Sequence, residues 1–477
     1  MKKFLSTLSL VALPLCTALL PACGGSDPAE GPAGGIQNPG ASGTGGEDGA
    51  SGGGNDDGGI RFDAGGNGTG GEGNGDPDGD DEDCDESDLP TPTAQVRGTV
   101  FAPNLELPIS GALVYLTTGD PEPVPDEVYC AECVELPCDV HFVLSEPDGS
   151  FNLPAVAGPN QKLVVQKGQY LHITPVEVAV GDVQVPAEKS NLPGRWDPQN
   201  GQYIPRMAVM SSYNDTIFNV LAKIGMGNTD TSGEWDQQSA GFDVYDVYEP
   251  ENGGGALLDD LDAMRAYHII FIPCMSQSGL GQTLSPQRIE NIRTWVEEGG
   301  KWYVTDWANE YLVDPFPTYQ EFHESTGAID IGEYSATGTV LDEGLLAWLS
   351  ALPPGLKDIG NGFPTLGNLP SVDLHDNWSG LESLAEIIVQ DEEGNDVDVG
   401  HYAWVEGPCS ACTTAPQQVR PMTLSAGYGC GRMMFSTYHT NDGAHAGLSP
   451  QELVLFYIIL EIGICRGDPP PPPPPIG

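Results

Sequence analysis

The chain has 477 residues, of which 69 are Asp or Glu against 18 Lys or Arg, a formal charge of −51. That balance excludes nucleic acid as a partner, because neutralising phosphates takes clustered bases, and it excludes a basic patch for anionic lipid. With 39% hydrophobic residues but 63 Gly and 42 Pro, part of the chain is expected to build a core and part never to fold. At the start, Lys2 and Lys3 precede an apolar run from Phe4 to Leu20, followed by Pro21-Ala22-Cys23. The pattern is that of an export signal over 1–22 rather than a spanning helix. No later stretch reaches the ~20 apolar residues a span requires; 453–465 is too short and contains Glu461.

Residues 23–90 follow as a tether. Between 24 and 90 there are 23 Gly and 17 acids with a single base, Arg61, a composition that cannot offset its ordering entropy and repels itself. The acidic stretch 76–83 lacks the spacing of a formed calcium loop. The small residue before Cys23 resembles the lipobox of bacterial lipoproteins. The resemblance implies lipidation of Cys23, a membrane partner through that lipid, and, with Gly24 rather than an acid next, placement in the outer membrane or at the cell surface.

Eleven Cys are present. Cys16 would leave with the signal and Cys23 would carry lipid, so nine remain. In an exported chain disulfides are the default, and the candidates are Cys130, Cys133, Cys138, Cys409, Cys412, Cys430 and Cys465, with Cys84 also unassigned. Cys130-x2-Cys133-x4-Cys138-x2-His141 has zinc-like spacing, but a disulfide-closed loop is the preferred reading, and no metal or other cofactor is expected.

Residues 91–200 show short strands and turns without helical periodicity. Gln95–Phe101 alternates, Ile109–Leu116 is a second strand, Asp148-Gly149 is a hairpin signal before Phe151, and 162–166 and 176–180 add more. A small β-sandwich is predicted. Val96-Arg-Gly-Thr-Val100, Gly111-Ala-Leu-Val-Tyr-Leu116 and Asp148-Gly-Ser-Phe-Asn-Leu153 resemble the carboxypeptidase regulatory-like domain, which implies a non-catalytic module, in some members a carbohydrate binder.

From 203 to 466 the period changes. Ile204–Met210, Phe242–Val247, Tyr267–Pro273, Lys301–Thr305 and Gly431–Thr437 are apolar strands. Between them Asp215 is expected to cap a helix ending at Gly225, 256–264 is helical, and Ser285-Pro286 opens a helix with its stripe at Ile289, Ile292, Trp295 and Val296, stopped by Gly299-Gly300. Ser449-Pro-Gln-Glu452 is a capping box for the last helix. A doubly wound, flavodoxin-like α/β domain is predicted, with an insertion at about 311–420 over its strand ends and a polyproline-like tail at 467–477.

Ligands in such folds bind beyond the carboxyl ends of the strands. Those ends carry Ser211, Tyr213 and Asn214; Cys274; Asp306, Trp307, Asn309 and Glu310; and His439, Asn441 and Asp442. Tyr267–Pro273, Val296-Glu-Glu-Gly-Gly300 and Gly431–His439 resemble the class I glutamine amidotransferase-like superfold, including its trehalose-utilisation-like branch. Active members of that superfold place a Cys on a sharp strand-to-helix turn. Here Asp306 occupies that turn, with no Gly to permit the strained elbow, while His439 falls where such enzymes keep the catalytic His. Cys274 is the alternative nucleophile, but no helix begins directly after it to lower its pKa. Five Trp, including Trp307 and Trp378, lie in or near the insertion and suit either core packing or sugar stacking.

The expectation from sequence is a membrane-anchored, exported lipoprotein acting as a non-catalytic binding or scaffolding module, with a carbohydrate or an envelope protein as its ligand. The alternatives are a cell-envelope hydrolase using Cys274 or Asp306 with His439, and a carbohydrate-binding surface protein. Gly-rich segments lie in the tether, not between a strand and a helix, so nucleotide binding is not expected.

Overall fold

The computed structural model describes residues 89–131, 133–239, 241–249, 251–275, 284–323, 331–360, 362–390, 394, 396–440 and 445–463. The expected export signal, Cys23, the expected tether up to residue 88, Cys84, Cys465 and the expected tail lie outside the described residues. Among those described, no helix is long and apolar enough to cross a membrane.

Two β-sheets come first. Ala94–Thr99 lies between Ser150–Ala155 and Gly181–Gln184. The second sheet runs Phe142–Leu144, Leu113–Thr117, Gly158–Lys167, Tyr170–Val178, Gln202–Tyr203. Period-two alternation drives the pairing: Val96 and Leu153 point inward while Arg97 and Asn152 face solvent. At the Asp148-Gly149 hairpin Gly149 takes φ +77°, where a side chain would be strained, and its N–H donates to Glu146 O at 2.7 Å.

The next strands build one nine-stranded sheet. Asp243–Asp246, Met207–Ser211, Ile269–Ile272, Lys301–Thr305 and Gly431–Ser436 are parallel neighbours in that order. Four antiparallel strands continue it: Val419–Tyr428, Tyr402–Pro408, Tyr334–Val340 and Ser371–Asn377. The region expected to be an insertion over the strand ends therefore mainly widens the sheet. Among them Tyr334–Val340 alternates buried and exposed throughout, the pattern of a sheet with one face in water, whereas Val419–Tyr428, next to the parallel strands, is buried over Met422–Ala426.

The four inner parallel strands, Met207–Ser211, Ile269–Ile272, Lys301–Thr305 and Gly431–Ser436, are buried on both faces. Alternate residues feed two cores: Met207, Val209, Ile269 and Phe271 pack with helices Ile217–Leu221 and Pro450–Glu461, and Ala208, Met210, Ile270 and Ile272 pack with helix Pro286–Glu297. Ser285 accepts from Arg288 N at the start of that helix, and the Ser449–Glu452 capping box is complete. The 256–264 helix is instead two short ones, Gly254–Asp259 and Leu261–Arg265, because Asp260 turns out of the helix and caps the second.

The first of those cores also contains Val96, Leu153 and Leu163, so the expected break near 200 is not a break in packing. Both halves belong to one unit. Trp348 Nε1 donates to Pro108 O at 2.8 Å, and Lys167 Nζ meets Glu461 Oε1 at 2.7 Å across the junction. Cys130 is joined to Cys430, 300 residues away in sequence, and Cys409 to Cys412. Cys133 and Cys138 are disulfide-bonded as well, and His141 Nε2 faces Pro90 O at 2.7 Å. The zinc-like quartet of Cys130, Cys133, Cys138 and His141 is thus corrected: its sulfurs are in S–S bonds and cannot serve as thiolate ligands.

Candidate active site

Four parallel strands end within reach of one carboxylate. Asp215, one turn past Met207–Ser211, is buried; its Oδ2 accepts from Thr305 Oγ1 at 2.6 Å, and its Oδ1 accepts from Thr440 Oγ1 at 2.7 Å. The Cys274 N–H also points to Oδ2, at 3.4 Å, and donates to Thr305 Oγ1 at 2.8 Å. Asp215 is therefore not the helix cap that its place before an apolar stripe predicts. The helix Ile217–Leu221 starts at Thr216 with no side-chain cap, and the carboxylate instead pins the ends of three other strands.

Cys274, Asp306 and His439 meet above it. Lys301–Thr305 runs into a turn at which Asp306 takes φ +52°. The sharp elbow thus exists without the Gly that sequence reasoning required. Asp is among the few residues that tolerate this region, and here three donors hold its carboxylate: Trp378 N at 2.8 Å and Ser379 Oγ at 3.3 Å on Oδ1, and His439 Nδ1 at 2.8 Å on Oδ2. The Cys274 sulfur lies within 4.8 Å of a donor atom of His439 and of Asp306, close enough for His439 and the Trp307 N–H, the first after the elbow, to act on the thiol. Residues 276–283, which follow Cys274, lie outside the described residues, and the Trp307 N–H at the end of the neighbouring strand acts to lower the thiol. Gln451 Nε2 donates to His439 O at 2.6 Å and Ser212 Oγ to Cys274 O at 2.6 Å, so the backbone behind the imidazole and the thiol is fixed.

Burial sets the protonation states. Cys274, Asp306 and His439 are 1%, 0% and 3% exposed. Burial, reinforced by the Asp306 charge, pushes the Cys274 thiol up to about 12, and the His439 contact pulls only partly back. Burial raises Asp306 to about 6, against the opposing pull of His439, Trp378 N and Ser379. For His439 burial acts downward, but the bonds to Asp306 and Cys274 outweigh it and hold the imidazole above its usual range. The resting site is a neutral thiol beside a proton shared by an imidazole and a carboxylate, titrating as a unit.

The three donor atoms lie within 4.8 Å of one another, and thiolate, imidazole and carboxylate would suit zinc. Yet the 2.8 Å between His439 Nδ1 and Asp306 Oδ2 is a hydrogen bond, shorter than the roughly 3.3 Å separating two ligands held at ~2.0 Å around a tetrahedral centre. The arrangement fits nucleophile, base and orienting acid better than a cation cage.

The remaining crevice candidates divide. Trp307 stacks on Trp378, centroids 6.0 Å apart, beside the elbow. Asn309 is buried with neither amide atom partnered, and the Trp307 Nε1 also lacks an acceptor. Burial raises the Glu310 carboxyl, with Asp314 adding to it. Tyr213 is 89% exposed and stacks on Tyr248, Asn214 N donates to Ser212 Oγ, and Ser211 lines a separate cleft. Asn441 and Asp442 lie outside the described residues. As site residues Asp215, Thr305 and Ser379 carry no sequence motif, and sequence reasoning missed them. His445 is buried, with Nε2 2.9 Å from Glu452 Oε2 and 3.2 Å from Lys223 Nζ.

No family model matches the chain, and no curated protein does. Among solved structures it is similar to a ThuA-like protein of Parabacteroides merdae, at 12% identity over 54% of this chain and 87% of that one, TM-score 0.30. It is also similar to a cytoplasmic protein of Salmonella typhimurium, at 11% identity over 54% and 98%, TM-score 0.26. A β-galactosidase of Bacillus circulans matches at 12% identity over 54% of this chain and 30% of its own length, TM-score 0.26.

Proposed function

We propose that the chain is an exported lipoprotein, anchored through Cys23, whose α/β domain is a cysteine-dependent acyl-transfer hydrolase of the cell envelope. In this reading the domain is doubly wound and glutamine amidotransferase-like, and the 91–200 sandwich is its carboxypeptidase regulatory-like accessory. The observation that carries the proposal is the contact chain Cys274–His439–Asp306, assembled from three strand ends with Asp306 at positive φ. The acid takes the elbow and the thiol comes from the adjacent strand, so an elbow without Cys does not by itself argue against catalysis.

The chemistry follows from the contacts. In the form in which His439 is neutral, with Nδ1–H on Asp306, the ring accepts the Cys274 proton at its other nitrogen as sulfur attacks an acyl carbon, and Asp306 stabilises the imidazolium that forms. His439 then returns the proton to the leaving oxygen or nitrogen, giving a thioester on Cys274. Water, deprotonated by His439, attacks the thioester and frees the acid and the thiol. Since burial holds the resting thiol protonated, attack requires the proton to move to His439 as substrate displaces water from the site.

The same burial supports the second reading, a binding or scaffolding module in which the three side chains only brace the strand ends. Full-length protein incubated with p-nitrophenyl acetate separates the two. The proposal expects an acetyl thioester on Cys274 by mass spectrometry, lost in Cys274→Ala, and turnover reduced about 10²–10⁴-fold in His439→Gln. No adduct on Cys274, with equal turnover in Cys274→Ala, would leave the scaffold.

A further inference from the structure

We propose that the cleft beside the edge strand Asp243–Asp246 binds an organic cation, a guanidinium or alkylammonium group on a short apolar stem. The cleft measures about 600 Å³, inside the range of ~300–1,000 Å³ of small-ligand sites. Its strand is an edge of the nine-stranded sheet and, among the described residues, pairs only with Met207–Ser211.

Aromatic walls and acidic rims define the chemistry. Phe218, Trp235 and Phe242 form a continuous ring cluster, with centroids 5.5 Å and 5.4 Å apart in succession. The Trp235 Nε1 has no acceptor. Glu234, Asp243 and Asp246 line the same cleft and are exposed; the charge of Lys223 reaches Glu234, but its ammonium is 3.6 Å from Glu452 and does not line the cleft. Two of them are already oriented, since Asp243 Oδ2 accepts from Tyr267 OH at 2.8 Å and Asp246 Oδ1 from Tyr248 N at 2.8 Å. No Lys, Arg or His is among the lining residues. Negative oxygens around an aromatic face attract a cation by both charge and ring quadrupole, whereas an anion would meet three carboxylates and the chain's net charge of −51. A flat neutral sugar would use the rings but leave the carboxylates uncompensated.

The cation can come free or on a polypeptide, and both sources share this recognition. The proposal is independent of the thiol chemistry, because its test reads binding rather than turnover. Full-length chain is titrated by calorimetry with agmatine, with capped Gly-Arg-Gly, and with the neutral citrulline peptide of the same length. Agmatine or the arginine peptide should bind and the citrulline peptide should not. Tighter binding of agmatine identifies a free small cation, and tighter binding of the peptide identifies a basic side chain. The paired substitution Glu234→Gln and Asp246→Asn, at exposed positions that leave the backbone bond to Tyr248 intact, should weaken binding about tenfold, and Trp235→Leu by a similar factor. Equal binding of the citrulline peptide, absence of binding by both cations, or unchanged affinity in the carboxylate variant would overturn the proposal.

Discussion

The two ends of the central sheet are built from opposite charges and do opposite work. At the amino end, Lys301 and Arg432 start neighbouring strands, and His268 lies beside them. Lys301 is pushed down to about 7 by burial and then by Arg432, and its Nζ donates to Gly299 O at 2.6 Å. Gly299 takes φ +120° there, with Tyr129 O so close that a Cβ would stand 1.9 Å from it. The Cys130–Cys430 bond ties the same corner to the sandwich. At the carboxyl end the groups are acids, hydroxyls, a thiol and an imidazole, and the disulfide there, Cys409–Cys412, closes only a three-residue separation. Every group at the amino end is accounted for by joining two halves of one unit. The carboxyl end holds more than a joint needs: a thiol within 4.8 Å of an imidazole, and an acid kept in a left-handed conformation to face it, which is where proteins store strain for function.

Substitutions at the two ends should separate these roles, the largest effects first. Removing the amino-end cross-link with Cys130→Ser and Cys430→Ser should cost about 5 kcal/mol in urea unfolding, because a link across 300 residues restricts the unfolded chain most; a loss below ~1 kcal/mol would mean that the corner is held by packing alone. At the other end, Asp215→Ala strands the Thr305 and Thr440 hydroxyls together and should cost about 3 kcal/mol, while the Cys274 N–H keeps Thr305 Oγ1. Asp215→Asn, which keeps an acceptor, should cost clearly less.

His268 gives the amino end a pH signature. Burial, then the Lys301 charge, pushes it down to about 4 from 6.5, and its Nδ1 must stay unprotonated to accept from Arg206 N at 2.7 Å. The folded state binds fewer protons, so this contribution is complete above about 6.5 and lost as pH falls through about 4. It amounts to about 3 kcal/mol, and His268→Asn should flatten that window in stability measured against pH. The smallest effect is at the carboxyl end. Cys409→Ser with Cys412→Ser opens a short loop worth about 1–2 kcal/mol. Both sulfurs pack on Gly380, next to the Trp378–Ser379 segment that holds Asp306, so the change should register more in Cys274 reactivity than in stability.

Much of this comparison could be read in the chain beforehand, and the reason differs by element. The four inner parallel strands announce themselves as short apolar runs because both faces are buried, and Ser285 and Ser449 mark helix starts by local chemistry. Cys274, Asp306 and His439 could each be assigned to a strand end. Their meeting could not, since it depends on which strands become neighbours, and the thiol and acid strands are adjacent only in the folded sheet. Asp215 looked like a cap because a cap and a buried anchor have the same sequence signature. The antiparallel extension was hidden because its half-exposed strands alternate as a surface insertion would. The elbow at Asp306 was missed because positive φ was sought at Gly, while here three hydrogen bonds to the carboxylate hold an Asp in that conformation.

The account turns on whether Cys274, His439 and Asp306 behave as one unit, and the pH dependence of Cys274 alkylation in full-length protein measures this directly. A slow rate at neutral pH, rising toward about 12, is expected in the wild-type chain. In His439→Gln, which removes the contact that lowers the thiol, the whole profile should move to higher pH, slowing the reaction at least about tenfold at a given pH. An identical profile in wild type and His439→Gln would show that the thiol and the imidazole are merely neighbours, and would contradict the catalytic reading of the site.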